Sequence, residues 1–197
     1  MAGHRENEIK FRISNHRQLE RLLRLAGFRQ ITPRTREWNT LYDWPGQKLR
    51  KRGELLRLRK YGDRWLLTHK SKAWNGKHKS RTETETALVD GPGMELILRA
   101  LGFRPTFHYE KFRAEWTDGK GYVVMDQTPI GDFGEIEGPT RWLDRTAAQL
   151  GIESSDYITL SYAPMFLDWK KRNHSSARNM TFKETRDTSI RKRPIRQ

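Results

Sequence analysis

The 197-residue sequence contains no cysteine, and this absence removes several kinds of chemistry. Without cysteine the chain has no disulfides, no thiolate metal ligands and no cysteine nucleophile. The six histidines show no spacing typical of metal ligands, and no Ser-His-Asp signature stands out. We therefore expect the histidines to serve structural or surface roles.

Long apolar runs are also missing. No segment approaches the roughly 20 apolar residues that span a bilayer, and the N-terminus lacks the apolar core of a signal peptide. We therefore expect a cytoplasmic protein that makes no use of a membrane.

Acidic residues are scarce relative to basic ones. The chain has 39 Lys and Arg against 24 Asp and Glu, a net charge of +15. An excess of this size indicates an anionic partner, such as nucleic acid, a membrane surface or a polyanionic small molecule like a triphosphate. Residues 172–197 hold eight Lys or Arg against two acids and few apolar residues. This composition predicts a basic, mostly disordered tail after a single folded domain at residues 1–171.

The stretch ENEIKFRI at residues 6–13 has two unlike faces when it is read as a strand. One face carries Glu6, Glu8, Lys10 and Arg12, and the other is mainly apolar. Six later strand-like segments also place charged residues on one face and mainly apolar or β-branched residues on the other. Their charged positions are Arg57 and Arg59; Lys70; Arg81, Glu83 and Glu85; Lys111 and Arg113; Asp126; Glu135 and Glu137.

These charged faces have two interpretations. In an open sheet they would face water, whereas in a closed barrel they would face one another across the lumen. Such a lumen would be prohibitively costly if dry and empty. It becomes reasonable around a divalent metal and a polyphosphate, because carboxylates bind the metal and cations bind phosphate oxygens.

Three helices are also predicted, after strands that carry a Glu-x-Glu pair. They end at Gly27, Gly102 and Gly151, since glycine commonly terminates helices. The later segment at residues 157–171 does not distinguish strand from helix.

The order of these motifs resembles the CYTH domains, or triphosphate tunnel metalloenzymes. The Glu-x-Glu-x-Lys signature in ENEIKFRI is followed by LRLRK, LTHK, SRTETET, EKFR and VVMDQTPIGDFGEIEG. The resemblance covers roughly residues 5–151. It is strongest to class IV adenylyl cyclase-like and thiamine-triphosphatase-like members.

The resemblance implies an α+β fold, an antiparallel eight-stranded closed tunnel with helices packed outside. It implies Mg²⁺ or Mn²⁺ bound by Glu6, Glu8, Asp126, Glu135 and Glu137, with Glu83 and Glu85 in support. The implied triphosphate-binding residues are Lys10, Arg12, Arg57, Arg59, Lys70, Arg81, Lys111 and Arg113. Among these sets, Glu8, Lys10, Arg113 and Glu137 are the implied catalytic residues.

Three functions remain open at this stage. The leading one is metal-dependent hydrolysis of a nucleoside triphosphate, thiamine triphosphate or inorganic tripolyphosphate. A class IV adenylyl cyclase, which forms cyclic AMP and pyrophosphate from ATP, is the alternative. A non-enzymatic polyphosphate- or RNA-binding module is the third. We expect a monomer or homodimer that contacts nucleic acid, if at all, through the basic tail.

Overall fold

Strands dominate residues 3–190, the part of the chain that the computed structural model describes. The strands are β1 His4–Arg12, β2 Arg29–Asp43, β3 Leu55–Tyr61, β4 Arg64–Lys70, β5 Trp74–Asn75, β6 Lys79–Leu88, β7 Arg104–Thr117, β8 Tyr122–Thr128 and β9 Gly131–Glu137. The helices are α1 His16–Leu25, α2 Lys48–Lys51, α3 Gly91–Ala100, α4 Thr140–Gln149, α5 Tyr162–Asn173 and α6 Phe182–Ile190. None of these helices is both long and apolar enough to cross a membrane.

Eight of the strands form a closed antiparallel barrel. The order around the barrel is β1-β9-β8-β7-β2-β3-β4-β6, and β6 pairs with β1 to close it. The short β5 lies on the edge of β6. The closed eight-stranded tunnel predicted from the sequence is therefore confirmed.

Strand alternation separates the lumen from the core. On β1, Ile9 and Phe11 face outward into an apolar layer with α1 and α4, whereas Glu8 and Lys10 face inward. Gly134 on β9 lies under the ring of Phe11, and a Cβ at this position would come within 2.1 Å of Phe11 Cζ. Any side chain at residue 134 would therefore displace the ring that anchors β1 against the helices.

Two smaller apolar clusters complete the exterior. One lies under α2 and α3 and includes Tyr42, Leu58 and Leu98. The other joins α5 to the barrel through Tyr109 and Phe166. The helices predicted before Gly27, Gly102 and Gly151 are present, and each of these glycines has a positive φ. The ambiguous segment becomes helical from Tyr162 onwards.

Helices are also present in residues 172–190, where the sequence predicted a mostly disordered tail. Helix α5 continues to Asn173, and α6 follows at Phe182–Ile190. Between them Met180 is fully buried and exchanges backbone hydrogen bonds with β7 at His108 and Glu110. The average composition of this segment did not predict its helices, because a few buried apolar side chains anchor a segment that is otherwise polar. Residues 191–197 lie outside the described residues.

Candidate active site

The barrel encloses a cavity of about 520 Å³ to which all eight barrel strands contribute. The N-terminus of α5, at Ser161 and Tyr162, also lines it. The charged lining consists of seven glutamates and eight Lys or Arg: Glu6, Glu8, Glu83, Glu85, Glu115, Glu135, Glu137, Lys10, Arg57, Arg59, Arg64, Lys70, Lys79, Lys111 and Arg113.

Three carboxylates crowd together where β1 meets β9. Glu8 and Glu137 are cross-strand partners, and Glu6 lies one lumen position further along β1. Burial, together with the negative charges of Glu6 and Glu8, raises the pKa of Glu137 to about 8. In the described part of the chain, Glu137 has no cation within ion-pair distance. Glu137 is therefore the member of this cluster that lacks a counter-charge.

Cations from β4 and β6 hold the other two members of the cluster. Lys70 Nζ lies 2.8 Å from Glu6 and 2.7 Å from Glu83, and Arg81 Nε lies 3.0 Å from Glu6. Lys79 Nζ donates to Glu8. Burial would raise the pKa of Glu6, but Lys70 and Arg81 hold it well below its usual range.

A second network gathers cations around Asp126 and Glu135. Arg113 binds Asp126 with two bonds of 2.7 Å and also contacts Glu135. Lys111 donates to Asp126 at 2.8 Å, and Lys10 donates to Glu135. Asp126 has no exposed surface and does not line the cavity. Its position beneath Lys111 and Arg113 favours a supporting role.

Two arginines of β3 complete the cationic wall of the cavity, which is formed by its Lys and Arg side chains. Arg59 contacts Glu85 at 2.6 Å and Glu37 at 3.5 Å, while Arg57 donates to Thr68 at 3.2 Å. Among the described residues, the buried Nε atoms of both arginines lack a hydrogen-bond partner. Unsatisfied buried donors are costly.

The structure divides the five predicted metal ligands into two groups. Glu6, Glu8 and Glu137 form the crowded cluster, in which only Glu137 lacks an ion pair among the described residues, whereas Asp126 and Glu135 belong to the second network around Arg113. As the described side chains stand, no group of three or more His, Cys, Asp or Glu is arranged to hold a metal. The donor chemistry of the crowded cluster nevertheless fits a hard divalent cation, because its oxygen ligands repel one another and Glu137 lacks a counter-charge.

The remaining predicted residues also have distinct positions. Glu83 and Glu85 face the lumen as partners of Lys70 and Arg59. Arg12 lies apart from the cavity at the exposed end of β1, with its guanidinium carbon 5.1 Å from the ring centroid of Phe133. The structure therefore does not bring Arg12 into the tunnel.

Three site residues escaped prediction. Lys79 shares the parity of Arg81 on β6 and lines the cavity. Glu37 is fully buried on β2. Tyr162 donates to Asp126 at 2.7 Å, and its ring lies 4.7 Å from Lys10 Nζ and 5.0 Å from Lys111 Nζ. A helical tyrosine carries no local signal for such a contact.

Comparison with solved structures identifies similar folds. A Vibrio parahaemolyticus protein, provisionally described as an adenylate cyclase, has 20% identity and a TM-score of 0.73 over 84% of this chain and 99% of that chain. The Pyrococcus horikoshii PH1012 protein has 22% identity and a TM-score of 0.69 over 81% of this chain and 98% of that chain. HpAC1 from Hippeastrum, provisionally described as an adenylyl cyclase with a dominant triphosphatase activity, has 20% identity and a TM-score of 0.61. The match covers 83% of this chain and 95% of that chain.

A search of curated proteins gave no significant match. At the identities found among solved structures, the likeness shows the fold alone. The family model of the CYTH domain, however, matches residues 4–162, which is most of the chain and includes all eight strands of the barrel. The protein therefore belongs to the CYTH domain family.

Proposed function

We propose that the protein hydrolyses a triphosphate inside the tunnel with the help of Mg²⁺ or Mn²⁺. The observation that carries this proposal is that one cavity contains both a cluster of carboxylates and a set of cationic side chains. Glu6, Glu8 and Glu137 form a crowded carboxylate cluster in which Glu137 has no ion-pair partner among the described residues, and arginines with unsatisfied donors line the same lumen. A simple polyanion binder gains nothing from such a carboxylate cluster. The known activity of the Hippeastrum relative agrees with this choice.

Glu6, Glu8 and Glu137 are the residues that would hold the metal. When bound there, a divalent cation neutralises phosphate charge and lowers the pKa of coordinated water. Lys70 and Lys79, which now donate to Glu6 and Glu8, have flexible stems and can donate to phosphate oxygens instead.

The cationic wall supplies the phosphate contacts. Lys10, Lys111, Arg113, Arg57 and Arg59 all reach the lumen. Burial opposes the charge of Lys10, but Glu135 and Glu8 raise the pKa of Lys10 above its usual value and keep it protonated. Arginine forks suit phosphate oxygens because they can bind two at once. Tyr162 and Asp126 hold Lys10, Lys111 and Arg113 in place from behind.

The reaction requires positioning and charge stabilisation rather than a covalent nucleophile. The oxygen of a water molecule forms a bond to the terminal phosphorus as the bond from that phosphorus to the bridging oxygen breaks. Tripolyphosphate then gives orthophosphate and pyrophosphate, and a nucleoside triphosphate gives the diphosphate and orthophosphate. The cations around the phosphates stabilise the charge that spreads over the equatorial oxygens.

The proposal is tested by incubating the protein with tripolyphosphate, ATP or thiamine triphosphate and resolving the products. We expect orthophosphate release that needs Mg²⁺ or Mn²⁺ and stops on addition of EDTA. Cyclic AMP and pyrophosphate from ATP would instead identify a cyclase. Polyphosphate binding that ignores EDTA, with no turnover of any substrate, would identify a binding module.

The matched variants are Glu8→Gln and Glu20→Gln, which remove the same charge. Glu8 lines the cavity, whereas Glu20 lies on α1 outside it. We expect Glu8→Gln to abolish turnover while retaining a cooperative thermal melt, and Glu20→Gln to keep full activity. A fully active Glu8→Gln protein would show that this carboxylate is not needed for metal binding.

A further inference from the structure

The outer surface of the barrel between β2 and β8 combines aromatic rings with arginines that the tunnel does not use. Exposed residues of β2 lie beside an outward-facing ring of β7, and α6 packs along the same surface. A groove of about 710 Å³ runs between β2, β7, β8 and α6. We call this surface the aromatic–arginine face; its members are Arg34, Arg36, Trp38, Phe112, Phe182 and Lys183.

Rings and guanidinium groups alternate across this face. The guanidinium carbon of Arg34 lies 3.5 Å from the ring centroid of Phe112, and Phe112 and Phe182 are 5.6 Å apart. Arg36 lies 5.9 Å from the Trp38 ring, which is 37% exposed. A single exposed ring is ordinary. Several rings interleaved with arginines on one surface can stack unpaired bases and contact their phosphates.

Two carboxylates near this face, Glu110 and Asp132, each have a partner. Glu110 accepts from Arg36 and from the backbone N–H of Phe182, with distances of 2.7 and 2.8 Å. Asp132 pairs with His16 at 2.8 Å. Lys183 and Arg34 are exposed, so the face keeps a positive surface. The sequence adds four more Lys or Arg directly after α6, at positions 191–193 and 196.

We propose that the aromatic–arginine face binds single-stranded RNA, with a base stacked on Trp38 and phosphates bound by Arg34, Arg36 and Lys183. Inorganic polyphosphate shares the phosphate chemistry but has no base to stack. In a duplex, the bases are already stacked on one another and their faces are not available. This site is separate from the tunnel and does not depend on the proposed hydrolysis.

The test measures binding of the full chain to a fluorescein-labelled oligouridylate by fluorescence anisotropy. We expect Trp38→Ala to weaken binding on the order of tenfold and Trp38→Phe to restore most of the loss, because a ring is what stacking requires. Trp74→Ala is the matched control, since Trp74 is 75% exposed and lies outside the face. Equal losses for Trp38→Ala and Trp74→Ala, or no binding by the unmodified protein, would overturn the proposal.

Charge variants separate this face from general attraction to a basic protein. Lys183→Gln should weaken RNA binding and reduce the slope of log K against log salt by about one, as expected for one phosphate contact. Lys51→Gln, an exposed change of equal charge on α2, should leave that slope unchanged. Glu8→Gln should bind RNA normally. Saturating tripolyphosphate that displaces RNA to the same extent from the unmodified protein and from Trp38→Ala would place the RNA in the tunnel and overturn the proposal.

Discussion

Glu37 shows how a single buried carboxylate can offset the positive charge of several tunnel cations. It has no exposed surface and lies within 4 Å of Lys111, Arg59 and Arg113. Burial alone would raise the pKa of Glu37, but these cations hold it well below its usual range. The stabilisation that Glu37 provides is therefore present above the pKa of an unfolded glutamate and is lost as pH falls towards its folded pKa.

Replacing Glu37 with glutamine tests this balance. Glu37→Gln should lower the free energy of unfolding at neutral pH by about 3 kcal/mol, because three buried cations lose one of their counter-charges. The deficit should shrink as pH falls below about 4.5, because Glu37 then takes up a proton in the unfolded protein while it stays charged in the folded one. Urea unfolding over a pH series measures both effects, with Glu20→Gln as a charge-matched control. A deficit that does not change with pH would contradict the assignment.

Many of the side chains that face the lumen could be predicted from strand parity, although Arg12 and Lys79 are exceptions, but the ion pairs between them could not. The period of two along a strand placed Glu6, Glu8 and Lys10 on one face, and the structure agrees. The pairing of Lys79 with Glu8 depends on the register between β1 and β6, which are about 70 residues apart in sequence. Asp126 was grouped with the metal ligands because its charge alone does not reveal Lys111 and Arg113 beside it.

At the scale of elements, the C-terminal segment is part of the folded domain. Tyr162 at the start of α5 contacts the lysines of the tunnel, and Met180 adds a bridge to β7 beside Tyr109. Composition suggested disorder since charged and polar residues outnumber apolar ones there. Burial of a segment depends on where its few apolar side chains fall relative to an existing surface, and composition does not contain that information.

Met180→Ala tests whether this segment is ordered. Met180 has no exposed surface, so truncating it should cost roughly 2–5 kcal/mol of unfolding free energy. Leu160→Ala is the control, because Leu160 is 45% exposed and should cost well under half as much. Chemical denaturation of the two variants gives the comparison. Equal stability of Met180→Ala and the unmodified protein would mean that the segment does not pack in solution.

At the scale of the whole molecule, the barrel encloses charges of both signs with almost no excess. Seven glutamates and eight Lys or Arg line the cavity, although the chain as a whole carries +15. Most of the excess charge therefore lies outside the tunnel, where it can attract anions over a longer range. The order of charged motifs predicted the closed barrel, but the pairing of β1 with β6 that closes it joins distant parts of the chain.

A triphosphate that enters this tunnel should stabilise the entire fold. Binding to the folded state alone at about a hundredfold excess over Kd adds about 2.7 kcal/mol. For a chain of this size, that corresponds to a rise in Tm of roughly 5–10 °C. The measurement is a thermal melt with tripolyphosphate and EDTA, so that no turnover occurs, against NaCl of equal ionic strength and against orthophosphate.

The rise in Tm with tripolyphosphate should depend on the cations that line the lumen. Arg113→Gln should lose most of the increment measured from its own baseline, because Arg113 lines the cavity. Arg21→Gln, which removes the same charge from an exposed position of α1, should retain it. An equal rise with NaCl or orthophosphate, or an equal increment in both variants, would show that the anion acts on the outer surface rather than in the tunnel. Because the EDTA removes the metal, this experiment measures the contribution of the cations separately from that of Glu6, Glu8 and Glu137.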